Sequence, residues 1–154
     1  MKSGQEHAPL NVLLVDDDTD DCFFFEKAIK EIPIATHLTT VRDGEQLMNY
    51  LFINAEDLPD VIFLDLNMPR KNGFECLTEI KENEQLKDLH VVMFSTFYSR
   101  DTKYEQDMIK MLFEIGAEDY IRKPGDFTQL KQVIHYALIK AIEKNSFNEQ
   151  GKNL

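Results

Sequence analysis

Four short segments of this chain end on side chains that can do chemistry. Residues 11–15 (NVLLV) run into Asp16 and Asp17, residues 61–64 (VIFL) into Asp65, residues 90–94 (HVVMF) into Ser95, and residues 119–122 (DYIR) into Lys123. Apolar runs without polar alternation read as strands covered on both faces, as in a parallel sheet. Ligands bind outside the carboxyl ends of such strands, so these side chains can meet in one pocket. Three carboxylates that close need a compensating charge, and a hard divalent cation with oxygen ligands supplies it. Mg2+ fits that requirement, because it keeps waters and joins one or two carboxylates to phosphate oxygens. A hydroxyl from Ser95 and an ammonium from Lys123 would complete a cradle for a transferred phosphoryl group, whose charge is spread over three oxygens. Asp65 is the candidate nucleophile, since a carboxylate can form an acyl phosphate when the incoming charge is neutralised. The plainer role for Asp65 is to cap the turn that precedes Met68 and Pro69.

The elements that must position these residues alternate strictly. Strands are expected at 11–15, 36–41, 61–64, 90–94 and 119–122, and helices at 20–31, 43–53, 74–82, within 97–116, and at 126–143. Five β-α units in series imply an α/β fold: a doubly wound, five-stranded parallel sheet flanked by helices joined through right-handed crossovers. Helical spacing assigns the buried faces to Phe24, Phe25, Ala28, Ile29 and Ile32 in the first helix and to Leu47, Met48, Leu51 and Phe52 in the second. In the third it assigns Phe74, Leu77 and Ile80, and in the fourth Met108, Met111, Leu112 and Ile115. The last helix offers the clearest stripe, from Phe127 and Leu130 through Ile134 and Leu138 to Ile142. Phe23 falls on the charged face of the first helix, either as a lone exposed aromatic or as a partner-docking residue.

With 154 residues the chain has room for one domain with a full core. Its formal net charge of -11, with five aspartates between positions 16 and 21, argues against a nucleic-acid surface. Cys22 and Cys76 have no metal-ligand spacing and read as reduced thiols. No signal peptide and no membrane-length apolar run is visible, so the expected setting is cytoplasmic, with no membrane partner. A folded unit at 10–144 is expected between flexible segments at 1–9 and 145–154.

The motifs VDDD, FLDLNMP, FST and YIRKP, spread over residues 11–144, together resemble the receiver domain of a two-component response regulator. The resemblance implies a flavodoxin-like sheet of strand order 2-1-3-4-5, with Asp65 as phospho-acceptor. It implies Asp17 and Asp65 as Mg2+ carboxylates, Asp16 on a metal water and Asn67 contributing its backbone carbonyl. Ser95 would be the switch hydroxyl, Tyr120 the aromatic that follows it, and Lys123 the partner of the phosphoryl oxygens. The bond between Lys123 and Pro124 would be cis. The implied partners are a sensor histidine kinase or phosphotransfer protein on the side of Phe23, and a downstream protein or a second copy of the chain on the output side. A stand-alone signalling domain is expected rather than a turnover enzyme, with no output domain after the last helix. Two departures stand out: a longer loop at 97–103, and Gly125 where the family often carries a bulky apolar residue. Phe97 is expected to shield an acyl phosphate from water. The competing readings are a receiver-like docking module that works without phosphorylation, a Mg2+-dependent phosphatase with an aspartate nucleophile, and a flavin-binding domain of the same strand order.

Overall fold

The computed structural model of the chain describes residues 8–96 and 102–152. Phe97, with its expected shielding role, lies outside the described residues, as does most of the segment expected to be flexible at 1–9. The elements are β1 (Leu10–Val15), α1 (Thr19–Lys30), β2 (Thr36–Val41), α2 (Gly44–Ile53), β3 (Val61–Leu64), α3 (Gly73–Glu82), β4 (Val91–Ser95), α4 (Thr102–Ile115), β5 (Asp119–Arg122) and α5 (Phe127–Lys152). The strands form one parallel sheet in the order β2-β1-β3-β4-β5.

The unbroken apolar runs of β1, β3 and β4 have the reason the sequence suggests: both of their faces are covered. Leu13, Val15, Ile62, Leu64, Val91 and Met93 face one way, against Leu47, Leu51, Leu77, Ile80 and Leu112 of α2, α3 and α4. Val12, Leu14, Val61, Phe63, Val92 and Phe94 face the other, against Phe25, Ala28, Ile29, Ile134 and Leu138 of α1 and α5. Each such buried side chain contributes about 1.5–3 kcal/mol relative to an exposed one. Phe25, Phe63 and Phe94 meet edge to face, with centroids 4.9 to 5.9 Å apart, so the region under the carboxyl ends of β3 and β4 is a rigid aromatic block.

Local signals fix the helix starts. Asp18 caps α1 by accepting from the Asp21 N–H, and Asp43 caps α2 by accepting from that of Gln46. Asn72 and Glu75 form a reciprocal capping box at α3. Gly116, at φ 134°, ends α4.

Several expectations need correction. Phe24, Phe52, Met111 and Ile142 are exposed rather than buried. Each sits at the border of an apolar stripe, where periodicity alone does not say how far the neighbouring element extends. Helix α5 also continues to Lys152, past the expected end at Glu143. Polar composition is not a stop signal, and the chain there contains no proline. Lys144 Nζ donates to the Asp88 carbonyl at 3.0 Å, and Asn145 Nδ2 to Asp60 Oδ1 at 3.1 Å, which ties the first residues past Glu143 to the body of the protein. No cis peptide bond occurs among the described residues, so Lys123–Pro124 is trans, the isomer favoured by about 0.5–1 kcal/mol in an X–Pro bond. No helix among the described residues is long and apolar enough to cross a membrane.

Candidate phosphoryl-transfer site

The parallel register brings the ends of β1, β3, β4 and β5 to one edge, and the four side-chain sets meet there. Asp16 and Asp65 are buried, Asp17 is exposed above them, and carboxylate oxygens of all three lie within 4.8 Å of one another. Hard oxygen donors at this spacing fit a hexacoordinate divalent cation, and no softer ligand stands among them.

Asp65 is held from two sides. Ser95, itself fully buried, donates its hydroxyl to Asp65 Oδ1 at 2.7 Å, and the Asn67 N–H donates to the same oxygen at 3.3 Å. The Asp65 N–H donates to the Val15 carbonyl at 3.0 Å, which fixes the backbone of the β3 end to that of β1. Beneath the loop, a Cβ on Gly73 would stand 2.1 Å from the Asp65 carbonyl oxygen, so only glycine lets α3 start this close to the site.

Lys123 closes the pocket. Its ammonium donates to Asp16 Oδ2 at 2.6 Å, to Asp21 Oδ2 at 2.8 Å and to Asp65 Oδ2 at 3.4 Å. Burial works against its charge, but the hydrogen bonds with Asp16 and Asp21 and the charge of Asp65 outweigh it and hold the ammonium above its ordinary range. Burial also pushes the Asp16 carboxyl up to about 6, partly offset by the bonds from Lys123 and the Asp18 N–H. The site is thus a cation over buried acids, with one oxygen of Asp65 organised by a hydroxyl and an amide.

Of the residues singled out from the sequence, Asp16, Asp17, Asp65, Ser95 and Lys123 are brought together, and Asn67 borders them through its backbone N–H. Tyr120 lies outside the first contacts. It packs, half-buried, against the core, its hydroxyl is 3.4 Å from Glu105 Oε2, and burial beside that carboxylate pushes the phenol up to about 12. Phe23 is 59% exposed and meets the Phe24 ring edge to face at 5.5 Å. Asp21 is the residue that the sequence reading did not single out.

Comparison with known proteins agrees with this geometry. A family model described as a response regulator receiver domain matches residues 12–135. Response regulator Rcp1 of Synechocystis sp. is 32% identical over 136 residues, 86% of this chain and 88% of that protein. The crystal structure of the Mn(2+)-bound form of Rcp1 superposes with a TM-score of 0.71 at 30% identity, covering 82% of this chain and 90% of that one. The phosphorylated cyanobacterial phytochrome response regulator RcpA gives a TM-score of 0.72 at 34% identity, covering 83% and 90%.

Proposed function

Because the chain belongs to the response regulator receiver domain family, whose members are signalling domains phosphorylated on aspartate, we propose that it accepts a phosphoryl group on Asp65. The donor is a phosphohistidine of a sensor histidine kinase or phosphotransfer protein, and the signal leaves through protein contacts. The observation that carries this reading is the convergence of Lys123 and Ser95 on the Asp65 carboxylate, with Asp16 and Asp17 beside it.

In the transfer, one carboxylate oxygen of Asp65 forms a bond to phosphorus as the bond from phosphorus to the histidine nitrogen breaks, and the imidazole leaves with a proton from solvent. Ser95 and the Asn67 N–H orient the acceptor carboxylate, so little reorganisation accompanies attack. Lys123 then exchanges part of its contact with Asp16 for the new phosphoryl oxygens, and Asp21 keeps the ammonium in place. Asp16, Asp17 and Asp65, with Asn67, would hold a Mg2+ ion, which would supply the charge neutralisation that lets an anion approach three acids. The Mn(2+)-bound form of Rcp1 supports that choice of ligand chemistry.

Once the phosphoryl group is present, the Ser95 hydroxyl turns to it. The loss of its bond to Asp65 frees the end of β4 to move, and Tyr120 on the adjacent β5 adjusts its packing against α4. The output surface is then α4, β5 and α5, and the output partner is a downstream protein or a second copy. Phe23 and α1 receive the donor. The net charge of -11 favours a protein partner over nucleic acid, and the free thiols of Cys22 and Cys76 suit a reducing cytoplasm.

Intact mass after incubation with acetyl phosphate tests the core of the reading. The expected result is a gain of one phosphoryl group that needs Mg2+ and is absent from Asp65→Asn. Equal labelling of Asp65→Asn would place the acceptor elsewhere, and release of phosphate with turnover would favour a phosphatase.

A further inference from the structure

The three acids of the pocket are not held alike. Asp16 and Asp65 are buried, and each is hydrogen-bonded to Lys123. Asp17 is exposed, so its place depends on the backbone that carries it. That backbone has a partner from outside the pocket. Arg42, the residue after β2, donates from Nη2 to the Asp17 carbonyl at 3.2 Å and to Thr19 Oγ1 at 2.8 Å, so one nitrogen spans the turn between β1 and α1. The loop that carries Arg42 is itself fixed. The Arg42 N–H donates to Gln46 Oε1 at 2.7 Å, and the buried Asp43 carboxylate accepts from the Gln46 N–H at 2.9 Å and from Arg70 Nη1 at 3.0 Å. Arg70, at φ 67°, belongs to the loop that follows Asp65 and Asn67. A Cβ on Gly44 would stand 2.1 Å from the Lys71 carbonyl oxygen, so the start of α2 is seated on that same loop. Arg42 and Asp43 thus join the turn of Asp17 to the loop of Asp65.

We propose that Arg42 is a positioning residue for the divalent cation, one that sets the Asp17 turn against the Asp65 loop before the ion arrives. The inference rests on the reading of Asp16, Asp17 and Asp65 as the carboxylates of a Mg2+ site and names what arranges them. Two effects of Arg42 oppose each other there. Its charge repels a cation, but the side chain is only half-buried, and water screens that repulsion. Its hydrogen bonds go to the Asp17 carbonyl and to Thr19, so they leave the Asp17 carboxylate to the ion while sparing it the entropy of ordering an exposed turn. Ordering therefore outweighs repulsion. The advantage is selective, because Mg2+ demands near-ideal octahedral geometry whereas Ca2+ accepts a flexible shell of oxygens. Repulsion makes no such distinction between two ions of equal charge.

Isothermal titration calorimetry with Mg2+ and, separately, with Ca2+ compares wild type, Arg42→Gln and Thr19→Val. Thr19→Val removes one anchor of the guanidinium without changing any charge. Mg2+ binding should be about tenfold weaker in Arg42→Gln. It should be about threefold weaker in Thr19→Val, which keeps one of the two bonds. Ca2+ binding should stay within about twofold of wild type in both. Saturating Mg2+ should restore the rate at which acetyl phosphate labels Arg42→Gln, since the defect lies in holding the ion and not in transfer. Mg2+ binding that is equal or tighter in Arg42→Gln overturns the proposal, because repulsion would then govern. So does a loss shared equally by Mg2+ and Ca2+, or labelling that stays slow at saturating Mg2+; either would mean a damaged site and not a misaligned one. Unchanged Mg2+ binding in Thr19→Val overturns it as well, since the grip on the turn would then be without effect. Wild type that binds no Mg2+ would instead defeat the reading of the three acids as a metal site.

Discussion

Lys123 is the residue on which the electrostatics of the site turn. Without a bound cation it is the positive charge in direct contact with Asp16, Asp21 and Asp65, and it is 10% exposed. Removing one partner of a buried ion pair costs about 3–5 kcal/mol, because the remaining charge is left uncompensated. Lys123→Met keeps the length and apolar stem while removing the charge, so it isolates that effect. It should lower the urea-unfolding free energy by about 3 kcal/mol at neutral pH in EDTA. Mg2+ should recover more stability in the variant than in wild type, since there it becomes the main counter-charge. A loss of stability under about 0.5 kcal/mol, the range of an ordinary surface substitution, would show that Lys123 is not what holds the acids together.

At the scale of elements, the site depends on how closely α3 can start beneath β3. Gly73 is the contact point, with Asp65 backbone atoms where a side chain would stand. Gly73→Ala should force the loop apart, cost about 1–3 kcal/mol as overpacking does, and displace Asp65 from Ser95. Slower acetyl phosphate labelling together with a lower unfolding midpoint is the expected outcome; an unchanged labelling rate would mean that the Asp65 loop absorbs the shift without moving the carboxylate. Gly125→Ala should leave both quantities unchanged, which separates a glycine held by close approach from one that borders open space. The same contrast explains what could be read in the chain. Strand ends and their chemistry were legible because VIFL, NVLLV and HVVMF cannot be exposed on either face, so the residues after them must lie at one sheet edge. Helix borders were not legible: Phe24 and Ile142 carry the right spacing for burial, yet both are exposed. The reach of α5 was hidden because Lys144 and Asn145 look like solvated polar residues until Asp88 and Asp60 are placed opposite them. Asp21 was hidden by its neighbours, since five acids within six positions give no sign of which one meets Lys123.

On the scale of the whole molecule, the sheet separates two polar regions that should titrate independently. The carboxyl edge carries the phosphoryl chemistry. The amino edge carries His90, which is buried and whose Nδ1 has no hydrogen-bond partner among the described residues. Burial lowers its pKa to about 4; Glu118 pulls the other way, while Lys144, Lys81 and Lys140 add to the lowering. In the unfolded chain the imidazole titrates near its ordinary value of about 6.5. Between those two values the unfolded state binds more protons than the folded one, so this group removes stability as pH falls from about 6.5 and stops doing so below about 4. His90→Leu abolishes that linkage and removes a buried polar atom without a partner. The variant should therefore match or exceed wild type in stability at pH 7, where the wild-type imidazole is neutral in both states, and gain on it by about 3 kcal/mol as pH falls to 4. Urea unfolding at pH 7, 6, 5 and 4 measures the difference, and subtracting the two proteins cancels the carboxylates that they share. Acetyl phosphate labelling at pH 7 should be unchanged, because His90 immediately precedes β4 and Ser95 ends it. A parallel pair of pH curves would show that the cost of charging His90 is relieved in the folded state, and a labelling defect would show that β4 couples its two ends.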